Sequence, residues 1–421
     1  MTPATRPLAL AVYRVATGLA EPFAPWLLQR RARRGKEEAA RIGERLGHAS
    51  TTRPDGDLVW LHGASVGESL SLLPLIDRFR AERPMTTLLV TSGTVTSATL
   101  LARRLPPGVL HQYAPIDAPG AVRRFLDHWR PGLAIFAESE LWPNLILGAR
   151  DAGCRLALVS AKVSEASARG WGRHPQAARA ILGAYELVLA QDARSAARLA
   201  ELGRPADGLI DLKYGAGPLP FDDDGLETFR ARSGRRTVFV AASTHPGEDG
   251  PVLDAFAASG EAGRALLVIV PRHPERAADI VALCRSKGMS AARRSLDEPP
   301  AMARVCVADT LGEMGLWLRL ARLAFIGGSL VTGVGGHNPL EPARLGCPAA
   351  SGPHVANWQS VYEDLQAAGG VEIIDGPEAL SRLFDSPEPA LRVMADRAAE
   401  RVAARDAEVR DGLARILGLA P

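Results

Sequence analysis

Leu58-Val59-Trp60-Leu61-His62-Gly63-Ala64-Ser65-Val66-Gly67-Glu68-Ser69 reads as a short apolar strand, a turn of small residues and the start of a helix. A strand that hands over to a helix through a tight turn is the repeating unit of an α/β fold. Outward from it the pattern recurs. Apolar runs at 58–62, 87–91, 133–137, 156–160 and 187–190 are predicted strands, and 70–82, 97–104 and 119–129 are predicted helices. Such alternation implies a parallel sheet covered by helices on both faces.

The chain has 421 residues, too many for one ordinary core and suited to two domains of about 200 residues each. The stretch 212–236, with Gly215, Gly217, Pro218, Pro220 and Asp222-Asp223-Asp224, breaks the alternation and reads as a linker. A second series of strands follows at 237–241, 265–270, 305–308, 323–327 and 371–374, and 388–419 is helical. The expected organisation is an N-terminal segment at 1–36, a first domain at 37–211, the linker at 212–236 and a second domain at 237–421, whose last helix can return to the first. Ligands of such folds bind beyond the carboxyl ends of the strands, and a cleft between two such domains is the default site.

Hydrophobic residues make up 47% and charged residues 23%, as in a folded soluble body. A net charge of +3 is too weak to argue for nucleic acid. Cys154, Cys284, Cys306 and Cys347 lack metal spacing and read as buried thiols. The nine histidines show no paired metal spacing, so no catalytic metal is expected.

Residues 7–28 are largely apolar, and Arg30, Arg31, Arg33, Arg34 and Lys36 follow. Arg14 and Glu21 make a membrane span unfavourable. At helical spacing Leu8, Val12, Val15 and Leu19 form one stripe, and Arg14, Thr17 and Glu21 lie opposite, before Pro22 and Pro25 break the helix. An amphipathic helix lying in an anionic membrane surface is expected, with Trp26 at the interface.

Five motifs at strand ends carry chemistry. Glu68, in the turn after 58–62, can act as a general base on a hydroxyl or serve the helix dipole. Glu138-Ser139-Glu140-Leu141-Trp142-Pro143-Asn144 follows 133–137; one of its carboxylates can relay a proton and the other cap the next helix. Trp142 is a core aromatic or part of an acceptor wall. Ala242-Ser243-Thr244-His245-Pro246-Gly247-Glu248 can present amide and hydroxyl donors from Ser243 and Thr244 to an anion. In Pro271-Arg272-His273-Pro274, Arg272 can hold a phosphate or carboxylate in a bidentate fashion. The most specific is Gly327-Gly328-Ser329-Leu330 with Gly333-Val334-Gly335-Gly336-His337-Asn338-Pro339-Leu340-Glu341-Pro342. Its glycines let amides approach a phosphate, Asn338 to Glu341 open a helix, and Glu341 can accept from ribose hydroxyls. It fits neither the triphosphate loop nor the dinucleotide fingerprint. Asp222-Asp223-Asp224 lies after no strand and reads as a solvated acidic loop.

Together these motifs resemble the Kdo (3-deoxy-D-manno-octulosonic acid) transferases of lipid A assembly, glycosyltransferases with the two-domain GT-B fold. The likeness rests on Ser65-Val66-Gly67-Glu68, the 138–144 segment, Pro271-Arg272-His273 and 335–342, supported by Thr91-Ser92-Gly93-Thr94 and Tyr113-Ala114-Pro115-Ile116-Asp117. It implies two tandem Rossmann-like domains facing across a cleft. It also implies transfer of Kdo from CMP-Kdo to a tetraacylated lipid A precursor at the cytoplasmic face of the inner membrane, with inversion and no cofactor. By this resemblance Glu68 is the base and Glu138 assists. Ser243, Thr244, Arg272, His273, Gly328, Ser329, Gly335, Gly336, His337, Asn338 and Glu341 surround the CMP donor, and Glu140, Lys162 and Lys213 lie on the acceptor side. Two positions depart from the family pattern. Asp211 replaces an Asn before Lys213, and Lys162 stands where an Arg is usual. The alternative is another GT-B enzyme, a transferase or epimerase that uses a UDP-sugar; a non-catalytic membrane-surface scaffold of the same fold is a third reading.

Overall fold

The structure, a computed structural model, describes residues 6–138 and 141–420. It divides into two compact units, Met1–Ala216 with Arg405–Pro421, and Gly217–Ala404. Each is built on a seven-stranded parallel sheet.

In the first unit the strands are β1 (Leu58–His62), β2 (Thr87–Ser92), β3 (Leu110–Tyr113), β4 (Leu133–Ala137), β5 (Arg155–Ala161), β6 (Leu187–Ala190) and β7 (Gly208–Leu209), in the order β3-β2-β1-β4-β5-β6-β7. β1 and β4 are buried at every position, so both faces of the sheet are covered. Trp60, Phe125, Trp129 and Phe136 centre one core. Both indole N–H groups this buries are matched: Trp60 Nε1 donates to Thr91 Oγ1 at 2.8 Å, and Trp129 Nε1 to Gln112 Oε1 at 2.9 Å.

In the second unit the strands are β8 (Val238–Thr244), β9 (Leu266–Pro271), β10 (Ala291–Arg293), β11 (Val305–Val307), β12 (Ala321–Ile326), β13 (Ala349–Ser351) and β14 (Glu372–Ile373), in the order β10-β11-β9-β8-β12-β13-β14. The sequence order reverses direction between β1 and β4 in one sheet and between β8 and β12 in the other. Adjacent connections leave those strand pairs on opposite faces, which opens a crevice at their carboxyl ends.

Several details depart from the sequence reading. The helix expected over 70–82 is two, Val66–Ser71 and Leu73–Glu82, because Pro74 cannot donate into a continuous helix. The prolines expected to break the N-terminal helix scarcely do. α1 (Leu8–Ala20) passes through a single 3₁₀ turn, Glu21–Phe23, into α2 (Ala24–Ala32), and Pro22 and Pro25 each sit in a first turn, where a missing N–H is no loss. Asp222-Asp223-Asp224 is solvent-exposed as expected but not all loop: the Asp222 side chain caps the helix Asp223–Arg232, whose first turn holds Asp223 and Asp224. Leu212 and Tyr214, in the stretch read as linker, are buried in the first unit. The last helix, Glu388–Leu417, carries Arg415 to a bond with Asp207 O at 2.8 Å. All four cysteines are free and buried.

No described helix is long and apolar enough to cross a membrane. α1 turns its polar side to the first unit: Tyr13 OH donates to Asp117 Oδ2 at 3.0 Å, Thr17 Oγ1 accepts from Asn144 Nδ2 at 2.9 Å, and Glu21 accepts from Gly120 N and Arg124. Its apolar stripe faces outward, with Leu8 79% and Leu19 72% exposed.

Candidate active-site residues of the two units

The turn after β1 is shaped for Glu68. Ser65 is the N-cap of Val66–Ser71 and accepts from Glu68 N at 3.3 Å, while Glu68 Oε2 accepts from Ala64 N at 2.7 Å and Ser65 N at 3.3 Å. This reciprocal capping box fixes the carboxylate at the carboxyl end of β1. Gly63 makes the turn possible, since a Cβ there would come within 2.9 Å of Glu68 C and Ser69 N. The capping role read for Glu68 from sequence is therefore present, and the carboxylate stands at the carboxyl end of β1.

Glu138 follows β4, the strand across the topological switch. Its φ is 57°, a left-handed conformation uncommon for a residue with a side chain. The peptide is held there by Glu138 N–H donating to Val159 O at 2.9 Å and Lys162 N–H donating to Glu138 O at 3.4 Å. Burial pushes the Glu138 carboxyl above the ordinary carboxylate range; Lys213 and Lys162 oppose this, and Glu68 and Asp211 add to it. The first unit thus brings Glu68, Glu138, Lys162 and Lys213 into one electrostatic group. Glu140 lies outside the described residues. Asp211 is 5% exposed and accepts from Lys213 N at 3.0 Å and Gln191 Nε2 at 3.3 Å. Burial raises its carboxyl as well. Trp142 is 44% exposed, so it is no core aromatic, and Asn144 is buried in the bonds to Thr17 and Asp117.

The second unit gathers a different set. Ser243, at φ 57°, and Thr244 end β8. Thr244 is buried, its carbonyl accepts from Arg272 N at 3.0 Å and from Arg276 Nη1 at 2.9 Å, and its Oγ1 has no partner among the described residues. The exposed Arg272 and His273 follow β9. The His245 ring lies 5.9 Å from that of His273 and stacks on that of His337 at 5.1 Å, with the two Nε2 atoms 2.9 Å apart. Burial, reinforced by His245 and Arg272, lowers His337 to about 4. The imidazole is therefore neutral at pH 7, and the facing nitrogens share one N–H···N bond.

Gly328 and Ser329 lie in the turn after β12, and Gly336 N–H donates to Gly328 O at 2.8 Å, which joins the two halves of the glycine motif. Asn338 Oδ1 accepts from Leu340 N at 3.0 Å, just ahead of the short helix Leu340–Arg344. Glu341, whose carboxyl burial raises, meets Asn338 Nδ2 at 3.4 Å. A cavity of about 550 Å³ opens beside Gly333 and Gly335, walled by His354, Asn357, Tyr362 and Glu363. Asn357 Nδ2 donates to Val334 O at 2.8 Å and Tyr362 OH to His337 O at 3.0 Å. Sequence reasoning singled out neither residue; each is set in ordinary helical sequence far from the motif. Among the described residues no group of three His, Cys, Asp or Glu is placed to hold a metal ion.

Residues 40–215 match the family model of 3-deoxy-D-manno-octulosonic-acid transferase (kdotransferase). The chain is 32% identical over 401 residues to the probable mitochondrial 3-deoxy-D-manno-octulosonic acid transferase of Arabidopsis thaliana, covering 90% of each chain. It is 35% identical over 347 residues to the 3-deoxy-D-manno-octulosonic acid transferase of Rickettsia felis, covering 81% of this chain and 74% of that one. Among solved structures, a glycosyltransferase from Rickettsia africae matches with a TM-score of 0.55 at 10% identity, over 87% of this chain and 99% of its own, a likeness of fold. With the two parallel sheets, this places the chain in the GT-B fold class.

Proposed function

The chain belongs to the 3-deoxy-D-manno-octulosonic acid transferases, glycosyltransferases by activity, and we propose that it moves Kdo from CMP-Kdo to a lipid A precursor by a single inverting displacement. Glu68 takes the proton as the acceptor hydroxyl attacks the anomeric carbon. The bond from that carbon to the phosphate oxygen breaks, and CMP departs as a monoester held by Arg272 and the 335–341 loop.

The observation that carries this reading is the pairing of Glu68 and Glu138 at the switch point of the first sheet, with Lys162 and Lys213 beside them. A carboxylate fixed by two amides is oriented before substrate arrives, which favours proton transfer in the transition state. Glu138, whose carboxyl burial raises, is suited to hold or relay a proton. The lysines suit an acceptor bearing phosphate. On the donor side, Arg272 and a turn rich in amides suit a nucleotide phosphate, and Glu341 suits ribose hydroxyls.

The acceptor is lipid-anchored, and α1 supports a membrane reading. Its outward stripe of Leu8, Val12, Val15 and Leu19 continues into exposed Phe23 and Trp26, and the basic run 30–36 follows. Such a helix lies in the interface, with its arginines on anionic headgroups, at the cytoplasmic face of the inner membrane. The deciding experiment supplies purified protein with CMP-Kdo and a lipid A precursor, with EDTA present throughout, and weighs the products by mass spectrometry. Added mass in Kdo increments is expected. Transfer from a UDP-sugar instead, or activity only after magnesium is restored, would overturn the reading.

A further inference from the structure

Glu248 stands at the start of the helix Asp249–Ala258 and is fully buried. Its side chain does not cap that helix. It reaches the turn after β12 instead. Oε2 accepts from Gly328 N at 2.6 Å and from His245 N at 2.8 Å; Oε1 accepts from Ser329 N and Leu330 N, each at 2.9 Å. A carboxylate offers about four acceptor positions, and main-chain amides meet all of them. Three successive amides converging on an anion is the way a glycine-rich turn holds a phosphate. Here the anion belongs to the chain.

We propose that Glu248 is an internal anion that fills the amide nest of Gly328–Leu330 and braces the donor loop, so that the donor phosphate is met by Arg272, His245 and His337 and not by these amides. This rests on the reading of the second unit as the donor side, and it makes Glu248 a positioning residue.

The turn is pinned from its other side as well. Ser329 O accepts from His354 N at 3.0 Å, and Ser329 Oγ donates to Ile326 O at 2.6 Å and accepts from Gly352 N at 2.8 Å. From there the order passes to the histidines. Gly328 has φ +69°, and a Cβ on it would come 2.9 Å from His337 Cδ2, so the turn lies directly against that ring. His245, whose amide ends on Glu248, holds His337 Nε2. One carboxylate therefore sets both imidazoles, through His245 N–H and through Gly328. Removing it strands four amides around a void, and buried donors without acceptors drive a local rearrangement.

The test uses full-length Glu248→Ala and Glu248→Gln, with CMP affinity by calorimetry, KM and kcat for CMP-Kdo, and thermal unfolding to show that the protein is folded. Glu248→Ala is expected to weaken CMP binding roughly tenfold or more, with the loss in KM and little in kcat. Added formate, a carboxylate small enough for the void, is expected to restore affinity in Glu248→Ala and not in Glu248→Gln, whose amide fills the space and turns an NH₂ toward donors. Should Glu248→Ala not fold, Glu248→Gln decides on the same CMP measurement, with weaker binding expected. Unchanged or tighter CMP binding by a folded variant overturns the proposal; tighter binding would make the amides the phosphate cradle. Loss that formate does not repair also overturns it, leaving Glu248 a packing residue. Arg272→Ala is the control. If it weakens CMP binding while the Glu248 variants do not, the brace alone fails; if neither does, the donor-side reading fails with it.

Discussion

After β1 and β4 the chain places Glu68 and Glu138 with two lysines; after β8 and β12 it places amides, imidazoles and Arg272 around one fully buried carboxylate. The strand order reverses at the corresponding point in both sheets, and in both a non-glycine residue at a strand end, Glu138 or Ser243, takes a left-handed φ. The switch point is shared, although β11 is inserted between β9 and β10 in the second sheet, and the electrostatics are opposite. In the first unit burial raises a carboxyl that remains within reach of lysines, which suits it to handling a proton. In the second the acid is turned inward as Glu248 and His337 is kept neutral, which leaves donors for an anion. A fold offers a position for chemistry, and the side chains placed there decide which chemistry it is.

The contrast can be broken experimentally, most severely at Glu68. Glu68→Gln is expected to lower turnover by roughly 10²–10⁴ while CMP affinity stays at the wild-type value; near-normal turnover would remove the proton-handling role from the first unit. Arg272→Ala should weaken CMP by roughly 10–100-fold, as loss of a charge-assisted hydrogen bond does, and leave acceptor KM unchanged. A change in acceptor KM alone would blur the division of labour between the units. The outward apolar face of α1 is a third feature of the first unit that can be tested. Val12→Ser with Leu19→Ser is expected to reduce partition onto vesicles containing anionic lipid roughly tenfold, read by co-sedimentation, and equal partition would dismiss the anchor.

The smallest effect concerns Asp211. Burial holds its folded carboxyl above the unfolded value. A carboxyl raised in this way contributes stability below the unfolded pKa and loses it as pH rises through the folded one. At pH 7 its ionisation therefore opposes folding, and Asp211→Asn should add about 1 kcal/mol, read by thermal or urea unfolding. That gain should shrink as the buffer is acidified toward the unfolded carboxylate range. A gain that persists unchanged in acid would assign it to packing. Asn keeps an acceptor for Lys213 N, so the local turn should survive.

Much of this was legible along the chain. The strands 58–62, 133–137 and 187–190 have the expected bounds, because each is a largely apolar run followed by a turn. β3 (Leu-His-Gln-Tyr), β7, β10 and β13 (Ala-Ala-Ser) went unseen, being short and carrying polar or small residues that local pattern does not separate from a loop. Among the candidate residues, Glu68, Arg272 and the 327–341 glycines could be named from their place after strands. Asn357 and Tyr362 could not, since only packing brings them to the loop.

What the sequence by itself determined is the set of covalent facts that act locally: a strand followed by Gly63 and a capping serine must turn there, and glycines at 335 and 336 permit backbone that other residues resist. What only the tertiary structure decided is the environment of each acid. Glu68, Glu138, Asp211 and Glu248 are all carboxylates, and their local sequence does not give their burial or their charge partners. Burial and partners from distant segments, such as Lys213 beside Glu138 and the amides of 328–330 around Glu248, give each acid its own environment. Solvation and charge act through space, and proximity in space is what folding supplies.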